Sequence, residues 1–461
     1  MTDERRLLAR TAELAADFLE SLETRPVGVQ ASVEELRAAL VRPLPEEPVA
    51  PEAVVGELAS AAELGVVGIP GGRYFGFVIG GSVPAALAAD WLTSTWDQNA
   101  GLYACGPSAA VVEEVVGEWL KELLGIPADA SFALATGCQM AHATCLAAAR
   151  NALLADVGWN VEERGLAGSP PIRVLAGARR HATIGRALRL LGLGTGSLRP
   201  IAVDAQGRMD VDELRGALES GPTIVCAQLG EVNTGSCDAV GQIADVLQAS
   251  GAWLHVDGAF GLWAATSPKR AYLVAGHERA DSWTTDAHKW LNVPYDCGLA
   301  FVARPEPHRA SMSVRAEYLV QDPDAARDEV DWTPEFSRRA RGFAVYAALR
   351  SLGRSGVADL VERCCGHARR FAAELAELPG CRIVNEVVLN QVLLRFEDDE
   401  TTAAVLRGVQ ESGEAWMSGT TWDGRAAIRI SVSNWRTSDD DVTRTVAAFA
   451  RALDATRAAA V

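Results

Sequence analysis

DSWTTDAHKWLNVPYDCG, residues 281–298, begins as an apolar β run and then sets a lysine between a histidine and a tryptophan. The chain has 43 cationic residues, and only three of them, Lys121, Lys269 and Lys289, are lysines. A lysine kept at 289 invites the question of what arginine cannot do. Arginine stays protonated and forms no imine, whereas a desolvated lysine loses its proton and attacks a carbonyl. The ordinary alternative is a partly buried cation with no chemical task. Lys121, in EWLKELL, and Lys269, in TSPKRA, sit where solvent-facing cations usually sit.

Working outward, AWLHVDGAF at 252–260 is a second apolar run, closed by Asp257. PIRVLAG (171–177), PTIVCAQLG (222–230) and CGLAFVA (297–303) repeat the pattern, and helical stretches such as PSAAVVEEVVGEWLKELLGI (107–126) accompany them. This alternation predicts an α/β chain with a large, mostly parallel sheet wrapped by helices. Ligands of such sheets bind beyond the carboxyl ends of the strands. Asp257 and Lys289 end consecutive predicted strands and so share one crevice. A lysine amine and a carboxylate placed this way suit pyridoxal 5'-phosphate, whose aldehyde takes an amine and whose ring nitrogen needs an acid partner. Taken alone, Asp257 is more commonly explained as a helix cap or turn residue.

Two weaker features point the same way. ATGCQMAHAT (135–144) turns at Gly137 into a helical run, where backbone amides of Gly137 and Cys138 can cradle a phosphate; a glycine turn is otherwise plain punctuation. His181 opens the helical HATIGRALRLLG, as a ring-stacking base or as a simple cap. His288, beside the lysine, can reach a phosphate, although adjacency on a strand turns it to the opposite side.

Composition excludes other classes. A net charge of −17 argues against nucleic acid and anionic membrane as partners and favours a small-molecule substrate. Nine scattered cysteines without CxxC spacing fit a reducing, cytoplasmic setting, and no metal-ligand cluster is evident. The N-terminal run MTDERRLLARTAELAADFLE is amphipathic and lacks the apolar core of a signal peptide, and no apolar stretch is long enough to span a bilayer. Residues 1–45 read as one or two helices, followed by a proline-rich connector at 41–55. A polar loop occupies about 316–333. CRIVNEV (381–387), NQVLLRF (390–396) and AAIRISVSN (426–434) then form a smaller α+β lobe.

Together these residues resemble the group II pyridoxal-phosphate decarboxylases, the aromatic-amino-acid and glutamate decarboxylase branch of the fold type I enzymes. The resemblance runs from RYFGFVIGGSVPAALAADWL (73–92) through HATIGRALRLLG and LHVDGAFG to DSWTTDAHKWLNVPYDCG and FSRRARG (336–342). It implies an N-terminal helical segment over 1–75 that embraces a partner, a large cofactor domain over 76–335 and a small α+β domain over 336–461. It also implies a homodimer with its active site at the subunit interface. Lys289 becomes the lysine that binds the cofactor, Asp257 the partner of the ring nitrogen and His181 the base stacked on the ring. Ala259 packs on the opposite face, and Thr136, Gly137, Cys138 and His288 hold the phosphate. The implied reaction is decarboxylation of an L-amino acid, aromatic or related, to an amine and CO2.

Two departures from the family pattern bear on the reaction. The family's loop tyrosine, which returns a proton to the substrate, corresponds to Glu329 in RDEVDW, with no tyrosine between Tyr318 and Trp332. In LGEVNTGSCD (229–238) paired threonines are replaced by Glu231 and Val232, and a carboxylate there can repel a substrate carboxylate, bind a substrate amine or become protonated. The departures keep transamination, carbon–carbon cleavage and oxidative aldehyde formation open as alternatives. Phe75, Phe77, Ile79, Trp96, Asp97 and Gln98 are candidates for the wall around the substrate side chain.

Overall fold

The computed structural model describes residues 3–314 and 327–459. Seven strands form the large sheet: β1 Ser131–Ala135, β2 Arg173–Gly177, β3 Leu198–Ile201, β4 Thr223–Gln228, β5 Trp253–Asp257, β6 Ser282–Asp286 and β7 Gly298–Val302. Their order across the sheet is β1-β7-β6-β5-β4-β2-β3. Neighbours from β3 to β6 pair in parallel, while β7 runs antiparallel between β6 and β1. β1, β5, β6 and β7 are buried along their whole lengths. Burial on both faces is why these strands read as continuous apolar runs rather than alternating ones.

Four further strands make an antiparallel sheet in the order β10-β11-β9-β8: β8 Arg382–Ile383, β9 Gln391–Arg395, β10 Ser418–Trp422 and β11 Arg425–Ser431. The helix Gly342–Ala376 precedes it. The segment before the first large-sheet strand runs along this small sheet, with the N–H of Phe75 donating to Trp416 O at 2.7 Å and the N–H of Ser431 donating to Phe75 O at 3.0 Å.

Three helices lie at the N-terminus, Asp3–Ser21, Val33–Leu40 and Pro51–Glu63, and none buries a residue. The connector expected at 41–55 therefore ends early: Pro51 occupies the first turn of the third helix, where its missing N–H costs nothing. The expected strand DSWTTDAHKW also stops early, at Asp286, so His288 and Lys289 lie in the turn that follows it. CRIVNEV shrinks to Arg382–Ile383. β1, β3 and β10 had no counterpart among the expected strands.

The insertion of β7 is what brings the strand ends together. Gly298 pairs with Ala135 on one side and Asp286 on the other. A Cβ at Gly298 would collide with the backbone of Gly137, so only glycine lets the turn after β1 close onto the end of β6. Gly298→Ala is expected to destabilise the fold by about 1–3 kcal/mol, the usual cost of overpacking. A thermal melt matching the parent's would contradict the close approach.

Candidate active site

Lys289 lies beyond the end of β6, in the turn after Asp286, and its Nζ is 3.0 Å from Asp286 Oδ2. The other carboxylate oxygen of Asp286 accepts the N–H of Cys138 at 2.7 Å, at the start of the helix Cys138–Asp156. A carboxylate belongs at such a helix start, where unpaired N–H groups and the helix dipole favour negative charge. Burial works against both ions, but the pairing prevails: Lys289 is held above the ordinary lysine pKa and Asp286 below the ordinary carboxylate range.

Asp257 closes β5, and its Oδ1 accepts the N–H of Ala259 at 3.2 Å. His288 is fixed by its neighbours: Nδ1 accepts the N–H of Cys297 at 3.1 Å, and the ring lies against Tyr295 with centroids 4.4 Å apart. Burial lowers the pKa of His288, so the ring is neutral and carries its proton on Nε2, 3.7 Å from Asp286 Oδ2. His181 caps the helix Ala182–Leu190 by accepting the N–H of Thr183 at Nδ1, as a simple cap does. It also lines the cavity, so the two readings are compatible.

The cavity, of about 560 Å³, is walled by Gly137, Cys138, His181, Asp257, Ala259, His288 and Lys289, which brings together every expected site residue except Thr136. Such a volume is in the range of small-molecule sites. Phe77 and Ile79 line it too. Phe75 is instead buried edge-on against Phe371, Trp96 packs against Phe343, and neither they nor Asp97 and Gln98 belong to the wall. Phe77 and Val78 have φ of 59° and 78°, a left-handed conformation that is uncommon for a phenylalanine and strained for a β-branched valine.

Glu231 is not part of the cavity wall, although its charge acts on Arg429. Its carboxylate accepts the N–H groups of Asn233 at 2.7 Å and Thr234 at 2.8 Å and the Asn233 side-chain amide at 2.9 Å. It therefore braces its own turn, and Val232 takes the place at the wall. Glu329 is also withdrawn: it is buried and paired with Arg327 at 3.0 Å, and burial raises its pKa. Tyr318 and most of the 316–333 loop lie outside the described residues.

Sequence reasoning missed Asp286, Gln139, Gln228, Tyr295 and Arg429, all of which line the cavity. Asp286 stands three residues before Lys289, a spacing at which opposite charges meet across a turn. Arg429 arrives from β11 in the small sheet, its guanidinium donating to Val232 O at 3.2 Å and Ser418 Oγ at 3.2 Å while its buried Nε has no partner. Its signal was a lone arginine in the apolar run AAIRISVSN.

Residues 34–397 match the family model described as the pyridoxal-dependent decarboxylase conserved domain. The chain belongs to that family. It is 25% identical to an aromatic-L-amino-acid decarboxylase of Bacillus atrophaeus, over 95% of this chain and 93% of the relative. It is 23% identical to a phenylacetaldehyde synthase of Arabidopsis thaliana, over 91% of this chain and 89% of the relative. A crystal structure of Oryza sativa TDC with PLP and tryptamine superposes with a TM-score of 0.92 at 23% identity, covering 98% of both chains. The fold is accordingly that of the fold type I enzymes, and the cofactor of this family member is pyridoxal 5'-phosphate.

The site residues fit that cofactor: an amine, a buried carboxylate and an imidazole Nε2–H line one cavity. One expectation needs adjustment. The Cys138 N–H already serves Asp286 and is not free for a phosphate. Because Asp286 holds Lys289 as an ammonium, Asp286→Asn is expected to lower the lysine pKa by about one unit or more. Covalent capture of pyridoxal phosphate by cofactor-stripped protein, trapped with borohydride, then shifts to lower pH and runs about tenfold faster at neutrality. An unchanged pH profile would contradict the ion pair's role.

Proposed function

We propose that this chain decarboxylates an L-amino acid, aromatic or related, to an amine and CO2, with Lys289 as the covalent anchor of the cofactor. The observation that carries the reading is the convergence of Lys289, Asp257, His181 and Arg429 on one cavity. Pyridoxal phosphate supplies an aldehyde that takes an amine and a protonated ring that accepts an electron pair. Asp257 would keep the ring nitrogen protonated, His181 and Ala259 would flank the ring, and Gly137 and His288, with Thr136 and Cys138 beside them, would hold the phosphate. Arg429 would receive the substrate carboxylate and, by fixing it, would decide which bond at the α-carbon is oriented for cleavage. Phe77, Ile79, Val232 and Phe260 offer apolar and aromatic walls to the side chain.

A proton must return to the α-carbon, and Tyr295 is the described tyrosine in the cavity wall. Burial pushes its phenol up to about 12, so it holds its proton throughout the neutral range. Oxidative formation of an aldehyde is the second reading, favoured by the Glu329 departure and by the synthases among the relatives.

A homodimer is part of the proposal. Leu8, Leu44, Val54, Leu58 and Leu64 on and between the N-terminal helices are exposed, as are Trp91, Leu92 and Trp96, an apolar surface that a second copy would cover. Cytoplasmic placement accords with nine free thiols, and among the described residues no helix is long and apolar enough to cross a membrane.

The holoenzyme, offered a panel of L-amino acids, is expected to release CO2 and amine in equal amounts from an aromatic substrate. Keto acid without CO2, or aldehyde with oxygen uptake, would overturn simple decarboxylation. Arg429→Ala is expected to raise KM at least tenfold, roughly the loss of one charge-assisted hydrogen bond; an unchanged KM would remove Arg429 from substrate binding.

A further inference from the structure

Behind Asp257, away from the substrate, stand two histidines that the reaction does not use. His255 lies two residues before Asp257 on β5, so both side chains leave the same face of the strand. His142, on the helix Cys138–Asp156, bridges them: its Nδ1 is 3.0 Å from His255 Nε2 and its Nε2 is 3.6 Å from Asp257 Oδ2. Both rings are fully buried, and His142 Nε2 has no hydrogen-bond partner. Further back, His255 Nδ1 lies 2.9 Å from Ser282 Oγ, which itself accepts the indole N–H of Trp253 at 2.8 Å.

The network selects one arrangement of protons. A bare Nε2 lone pair on His142 would face the carboxylate of Asp257 and repel it, so the proton belongs on Nε2. Nδ1 of His142 is then an acceptor, served by His255 Nε2–H and by the Thr284 hydroxyl at 3.3 Å. His255 Nδ1 in turn accepts from the Ser282 hydroxyl. Burial lowers the pKa of both rings, and Asp257, Asp286, His181 and Lys289 are the charged or titratable groups acting on His142 beside His255. Both rings are thus neutral, each with a single N–H, as the arrangement requires.

We propose that His142 is a positioning residue: held in one tautomer by His255 and Ser282, it presents Nε2–H to Asp257 and keeps that carboxylate aimed at the cofactor's ring nitrogen. A buried carboxylate favours its neutral form unless donors stabilise the charge. Ala259 N–H donates to Oδ1 at 3.2 Å, and His142 Nε2–H, 3.6 Å from Oδ2, faces the other oxygen as a dipole rather than through a formed hydrogen bond. The proposal rests on the reading of Asp257 as the partner of that nitrogen.

The test compares His142→Gln, whose amide N–H falls near the imidazole Nε2, with His142→Asn, whose amide reaches only the Nδ1 position. Holoenzymes carrying 15N-labelled pyridoxal phosphate report ring-nitrogen protonation by chemical shift across pH, and spectral titration gives the cofactor Kd. The Gln variant is expected to keep the parental shift, with Kd within about threefold. The Asn variant is expected to lose the ring proton at lower pH and to bind about 10–100-fold more weakly, the usual loss when a supporting contact is removed. Equal behaviour of the two variants, parental or impaired, overturns the proposal. Asp257→Asn separates the two levels. If it moves the nitrogen shift while His142→Asn does not, the relay alone fails; if Asp257→Asn leaves the shift unchanged, the reading of Asp257 fails and the relay with it. Should either His142 variant fail to fold, Ser282→Ala keeps both rings and removes only the hydroxyl; it is expected to change the shift in the same direction by less, and no change overturns the proposal.

Discussion

The carboxylate of Asp286 is the contact on which the site depends. One oxygen takes the first amide of the helix after β1, the other takes the Lys289 ammonium, and its own N–H donates to Ala259 O at 3.0 Å beyond β5. Three strand ends meet at one residue. That junction exists because β7 enters antiparallel between β1 and β6 and because Gly298 leaves room for Gly137. A charged pair in a buried place would ordinarily cost more than it returns. The helix terminus and the second ion offset that cost, and the result is a lysine held at a defined point in the crevice.

Chemistry in this chain is thus organised in layers behind the reacting atoms. Lys289 and Asp257 face the cavity. Asp286 holds the first from one side, and the buried histidines stand behind the second. Arg429 comes from a different sheet altogether, so the cavity is completed only when the small sheet packs against the large one. The two carboxylates at which the expected family pattern lapses, Glu231 and Glu329, are both engaged in local structure: one braces a turn, the other pairs with Arg327.

Much of this was legible beforehand for physical reasons. The rarity of lysine made Lys289 conspicuous, and long apolar runs on either side of Asp257 identified central parallel strands. The short strands β1, β3 and β10 were not legible, because SFALA resembles a buried helical segment and the exposed residues of β3 have no periodic partner. Strand order was equally hidden: nothing in CGLAFVA announces that it runs against its neighbours. The place of Arg429 in the cavity wall became visible only in the fold, since this residue, distant in sequence from Lys289, reaches the cavity through tertiary packing.

The most direct test of this account is to reduce the holoenzyme with borohydride and map the labelled peptide. The pyridoxyl group should reside on Lys289 alone, and Lys289→Ala should abolish both the label and the visible absorbance. Label on Lys121 or Lys269, or a cofactor that reduction leaves unattached, would contradict it.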